Sequence, residues 1–220
     1  MSKLVIFDWG GVIMHKHPVD NSDKDAIIRT IQSFNGNLSD DEAWKIYIKT
    51  LRNENGVIIS LLDDYKSKRA WVERIRQEGN LITTYEEFVS RWILEYSKVG
   101  CYEELINYIH SLKGKCKIGL LSDLIFCCEP ALDKQVDLSS FDYVWLSYIM
   151  HMRKNTVDIF KTVQKDAGVN PEDILLIDDT EVNINNAKEC GWNTCQAQGF
   201  EFDKIKSSVD SFLELQATRK

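Results

Sequence analysis

Five side chains in this sequence carry chemistry that would be useful if they were brought together: Asp8, Ser122, Lys154, Asp178 and Asp179. The adjacent acids of ILLIDD follow so apolar a run that burying both is costly unless something binds them, and a hard, oxygen-preferring cation such as magnesium is the economical partner. Asp8 closes the run LVIFD and is followed by Trp9-Gly10-Gly11, whose glycines let the backbone turn sharply and approach a ligand. Ser122 ends GLLS, where a hydroxyl can donate to an anionic oxygen or cap a following helix. Lys154, in HMRKNTVDIF, could offset the charges of a carboxylate and a bound phosphate. Singly, each also has an ordinary reading: a turn aspartate, a capping serine, a solvated lysine, or a helix capped by Asp179 or Thr180.

What would unite them is an architecture that sets all of them at one edge. Short apolar runs recur at 4–7, 117–122, 143–147, 174–178 and 193–197, each of strand length and bounded by polar residues or glycine. Between the later ones lie helical patterns at 103–113, 156–168 and 181–191, the last two ending on Gly168 and Gly191. Strands alternating with helices predict an α/β fold with a Rossmann-like, mostly parallel sheet covered on both faces. From about 15 to 98 the rhythm changes: LSDDEAWKIYIKTL (38–51), ISLLDDYKSKRAWVERIRQ (59–77) and TYEEFVSRWILEYSKV (84–99) read as amphipathic helices, the first with an N-cap at Ser39. The expected organisation is a core of 1–14 and 99–220 with a helical insertion of 15–98, placed where open α/β sheets bind ligands, at the carboxyl end of the first strand. Trp44, Trp71 and Trp92 of the insertion are expected to be packing residues.

The 220 residues, 44% hydrophobic, suffice for one core with a subdomain, and a formal charge of -7 argues against a nucleic-acid surface. The start MSKLVIFDW has no long apolar stretch and runs into a core strand, so the reading is a cytoplasmic protein without a membrane span. Six cysteines without a CxxC pair point to reduced thiols and not to a zinc site.

Asp, Ser, Lys and Asp-Asp in that order, carried by FDWGGV, LLSD, RKNTVDIF and LIDDTEVNINNAKECGW, resemble the four motifs of the haloacid dehalogenase-like (HAD) superfamily, most of whose members are magnesium-dependent phosphatases. The resemblance spans roughly residues 3 to 200, and the long interval between the first two motifs is similar to that of members with a helical cap inserted there, the C1 type. It implies that Asp8 is the nucleophile, forming an aspartyl-phosphate, and also a metal ligand. Ser122 and Lys154 are implied to hold the phosphoryl oxygens, with Asp123 beside them at the substrate end. Asp179 and Asp178 are implied to bind or support Mg2+, together with the backbone carbonyl of Gly10. The implied partner is a small phosphorylated metabolite.

Position 10 departs from the pattern, because the family usually has a second Asp there, which protonates the leaving oxygen and later activates water. Its loss removes general acid-base catalysis, a factor of about 10² to 10⁴ in rate. Three readings follow: a phosphatase with a good leaving group or a substitute acid, a catalytically impaired binding or interaction protein, and a 2-haloacid dehalogenase-like enzyme. His15 and His17 are loop histidines with a substitute-acid role as the alternative, and Asp20 and Asp123 stand no better. Asp123 also adds negative charge beside a phosphate site unless it points away or is protonated.

Overall fold

The computed structural model describes residues 3–53 and 56–214. Its centre is a five-stranded, wholly parallel sheet in the order β3-β2-β1-β4-β5, made of β1 (Leu4–Phe7), β2 (Lys117–Ser122), β3 (Tyr143–Leu146), β4 (Ile174–Asp178) and β5 (Asn193–Gln196). Every residue of β1 and β4 is buried, which is why both read as uninterrupted apolar runs and not as alternations. Successive side chains leave opposite faces: Val5 and Phe7 join the larger apolar cluster, whereas Leu4 and Ile6 join the smaller one with Leu121 and Trp145.

Between β1 and β2 the chain forms α1 (Asp23–Gln32), α2 (Asp40–Thr50), α3 (Tyr65–Glu78) and α4 (Tyr85–Tyr96), and then α5 (Glu103–Ser111). The Ser39 hydroxyl accepts the Glu42 N–H, as the sequence pattern predicts for the start of α2. The expected single helix over 59–77 is instead a 3-10 turn at Ile59–Leu61 and a separate α3, because the Asp64 carboxylate accepts the Ser67 N–H and starts the helix there. Trp71 and Trp92 pack edge to face at 5.5 Å, and both contact the ring of Phe88. Glu95 is 2% exposed and held by Arg29, Arg91 and Lys98. The two chain crossings into and out of these helices are stitched together, with His15 N–H donating to Gly100 C=O at 2.8 Å and Tyr102 N–H to Ile13 C=O at 2.9 Å.

The rest of the chain supplies α6 (Glu129–Gln135), α7 (Ser147–Met150), α8 (Val157–Ala167), α9 (Glu181–Glu189) and α10 (Phe202–Glu214). Helices α1 and α10 lie outside the individual helical patterns read from the sequence, although Ile205, Val209 and Phe212 of α10 are buried at helical spacing. No helix among the described residues is long and apolar enough to cross a membrane, and all six cysteines are unpaired.

One glycine of β2 is fixed by close approach: a Cβ on Gly119 would lie 2.7 Å from Cζ3 of Trp145. That ring cannot yield easily, since it stacks on Tyr143 at 4.9 Å and its Nε1 donates to Asp166 at 2.9 Å. Gly119→Ala is therefore expected to lower stability by about 1–3 kcal/mol, read as a reduced urea midpoint.

Candidate functional site

Strand register brings the chemistry together. Phe7 pairs with Ile177 on one side and Leu120 on the other, so Asp8 lies level with Asp178 and one residue short of Ser122 across the strand ends. The Asp8 N–H donates to Ile177 C=O at 2.9 Å, extending the ladder by one step, before the chain turns through Trp9-Gly10-Gly11. That turn is closed by Gly11 N–H on Met14 C=O and by Ile13 and Met14 N–H on Trp9 C=O, bonds that leave the carbonyl of Gly10 unused. Gly11 has a φ of +89°, and a Cβ there would stand 2.6 Å from Oδ2 of Asp179, so only glycine lets this turn close on the acid.

Lys154 is the hub. It is 1% exposed, with Nζ 2.6 Å from Asp8 Oδ1 and 2.7 Å from Asp178 Oδ2. Its backbone is held from two sides: its N–H donates to Asp123 Oδ1 at 3.1 Å, and its C=O accepts from Asn186 Nδ2 at 2.9 Å. Asp178, fully buried, also accepts the Thr180 N–H at 2.9 Å and both of its oxygens accept from Asn183 Nδ2, at 3.0 and 3.1 Å. Asp179 takes the Thr180 hydroxyl at 2.9 Å and the Lys16 ammonium at 2.9 Å. Thr180 precedes α9 without a side-chain capping bond, so the capping interpretation of this acidic pair fails for it.

Burial pushes the Asp8 carboxyl up to about 7 against the pull of Lys154, with the charges of Asp178 and Asp179 adding to the rise. Burial also works against the Lys154 ammonium, but Asp8 and Asp178 outweigh it and hold the group charged. Lys16 is likewise raised, against its burial, chiefly by Asp179. Three carboxyl groups thus face two ammonium groups, and with Asp8 ionised the cluster carries a net negative charge. Asp8, Asp178 and Asp179 each offer an oxygen, all within 4.8 Å of one another. This is a donor set of hard anionic oxygens with surplus negative charge, and it fits magnesium.

Of these acids Asp8 lines a cavity of about 270 Å³, together with Gly10, Ser122, Asp123 and Lys154. Asp123 is bound to Arg153 Nη2 at 3.1 Å, so its charge is matched and it does not stand bare beside an anion site. Ser122 is 2% exposed, and no helix begins at it, since α6 starts only at Glu129. His15 and His17 do not line this cavity; His15 packs against Tyr102 at 4.6 Å and approaches Asp20 C=O. Sequence reasoning missed Lys16, Asp23, Arg153 and Asn183. Asn183 had a signal, five residues after Asp178 on the first turn of α9, whereas nothing in the spacing marks Lys16.

No protein-family model matches the chain. It is 24% identical over 205 residues, 90% of its length and 93% of the relative's, to a D-ribitol-5-phosphate phosphatase of Bacteroides thetaiotaomicron. Its fold matches a wild-type HAD-family enzyme of Bacteroides thetaiotaomicron solved with magnesium and inorganic phosphate, with TM-score 0.64, 21% identity and coverage of 90% of this chain and 96% of that one. It also matches a predicted HAD-like family hydrolase of Porphyromonas gingivalis, with TM-score 0.65, 23% identity and coverage of 90% and 92%.

Proposed function

We propose that this chain, which has the HAD fold, is a magnesium-dependent phosphatase that hydrolyses a small phosphomonoester through an aspartyl-phosphate on Asp8. The observation that carries this reading is the convergence of Asp8, Asp178 and Asp179 from adjoining strand ends around Lys154, beside a cavity that Asp8, Ser122 and Lys154 line.

Asp8 and Asp179, with the carbonyl of Gly10, would hold the metal, while Asp178, already engaged by Lys154, Asn183 and Thr180, would fix the geometry around it. Magnesium held there supplies charge neutralisation for nucleophile and phosphate. Lys154 and Ser122 bind the phosphoryl oxygens, and Lys154 keeps Asp8 oriented. A carboxylate oxygen of Asp8 attacks phosphorus, and the ester bond breaks with its electron pair leaving on the ester oxygen. Water then attacks the same phosphorus, the bond to Asp8 breaks, and phosphate leaves with the water's proton released to solvent. Residues 15–98 act as the cap over this cavity, and the unpaired thiols suit the cytoplasm.

Gly10 favours one other reading, a protein that binds phosphate and does not turn it over. Halide displacement ranks below both, because it needs no cation and would leave three clustered acids as a liability. The separating experiment is phosphate release from p-nitrophenyl phosphate by the full chain. Release is expected with magnesium, loss to background with a chelator, and recovery on adding magnesium back. Release that survives chelation would overturn the metal assignment, and binding of inorganic phosphate without any release would favour the binding protein.

A further inference from the structure

Beneath the helical insertion the cavity at Asp8 continues into a second space of about 180 Å³, the two sharing Asp23, Tyr96, Asp123, Leu124 and Arg153. The second space is amphipathic. Ile27, Tyr47 and Trp92 give it an apolar and aromatic side, while Asp23, Ser60, Asp123 and Arg153 give it a polar one. Two of these polar groups are donors with nothing to donate to: Ser60 is 6% exposed, and its hydroxyl, like Nε of Arg153, is buried without a partner. Both residues are anchored. The C=O of Ser60 accepts the Ser147 hydroxyl at 2.8 Å, which pins this turn of the insertion to the core, and Nη2 of Arg153 is tied to Asp123 at 3.1 Å. Buried polar groups are nearly always matched in folded proteins, so two anchored, unmatched donors mark where a ligand supplies acceptor oxygens.

Charge decides which kind of oxygen fits. Arg153 already faces Asp123, and Asp23 adds a second carboxylate, so the lining sets two acids against one guanidinium. A further carboxylate or phosphate on the ligand would meet that surplus of negative charge. Asp23 also has accepting capacity to spare: its Oδ1 takes the N–H groups of His17 and Lys24, at 3.2 and 2.9 Å, and Oδ2 takes neither. Donors and an acceptor around one space suit a hydroxyl, which accepts from one neighbour and donates to another. The C–H faces of the carbon chain that bears it match Tyr47 and Trp92.

We infer that the substrates of this site are phosphate monoesters of uncharged alcohols that carry further hydroxyl groups, with Arg153 and Ser60 as the residues that select for those hydroxyls. This rests on the phosphatase reading above and adds the leaving-group side to it. An unsubstituted alkyl chain would leave both donors unmatched, and an alcohol with a second anionic group would be repelled. Hydroxyls beside the ester carbon also withdraw electrons from the departing oxygen. With glycine at position 10 that oxygen has no carboxyl there to protonate it: it keeps the electron pair of the broken ester bond and takes its proton from solvent.

Phosphonates of matched length, which are not hydrolysed, test this. The full chain with magnesium is titrated calorimetrically with inorganic phosphate, propylphosphonate, 3-hydroxypropylphosphonate and 3-phosphonopropionate. The hydroxylated probe is expected to bind about 10-fold or more tightly than propylphosphonate, and the carboxylated one no more tightly than propylphosphonate. Ser60→Ala removes one donor, and Arg153→Lys keeps the charge facing Asp123 while removing Nε. Each is expected to lower the ratio of hydroxypropyl to propyl affinity by about threefold or more, a ratio that cancels any change common to both probes. Equal affinity for the two probes, tightest binding by the carboxylated one, or a ratio that survives both substitutions would overturn the assignment, while binding of inorganic phosphate keeps the phosphatase reading. Failure of phosphate itself to bind would overturn both.

Discussion

Asp8→Asn is expected to abolish phosphate release from p-nitrophenyl phosphate, by a factor on the order of 10⁴ or more, while inorganic phosphate still binds. The amide keeps the size of the carboxylate but is not a nucleophile, so no aspartyl-phosphate forms. Lys154 loses the charge of one of its two acidic partners and keeps that of the other, Asp178, at 2.7 Å, so the hub should stay in place. Ser122 and Lys154 therefore still face the anion. Steady-state rates beside a calorimetric phosphate titration check both halves of the result. Wild-type rates in this variant would remove Asp8 from the mechanism.

Gly10→Asp is expected to do the reverse and create activity on poor leaving groups. The position lines the cavity, lies outside the positive-φ glycines, and has open space where a Cβ would stand, so a side chain can start there without displacing a neighbour. A proton donor in reach of the leaving oxygen should raise kcat/KM for alkyl phosphates by about 10² to 10⁴. For p-nitrophenyl phosphate, whose leaving group needs no proton, the change should stay within about tenfold. A leaving-group series run on both proteins would show this as a flattened dependence in the variant. Equal slopes would mean that position 10 does not face the leaving oxygen.

Much of this architecture is legible in the chain itself, for reasons that differ by element. The runs 4–7 and 174–178 announce buried parallel strands because both of their faces are covered, and β1 and β4 occupy those residues. The edge strand β3 is equally visible but shorter than its apolar run, since Ser147 already begins α7. The segment 59–77 misleads because its apolar spacing is helical throughout, while one local contest at Asp64 decides where the helix can start. At the site, Asp8 and Asp178 become neighbours through register, which the ordered motifs encode indirectly. Lys16 and Arg153 are different: each meets its partner, Asp179 or Asp123, only through tertiary packing, and no local pattern distinguishes either from a solvated cation.

The ion pair between Lys16 and Asp179 bears on how the site endures between turnovers and in metal-poor conditions. With an ammonium already seated on the outermost carboxylate, the arrival of a divalent ion is an exchange of one cation for another and not the filling of a bare anionic hole. Part of the repulsion among the acids is offset in both states. Chelation should therefore silence the protein reversibly, with the urea midpoint little changed and activity restored by added magnesium.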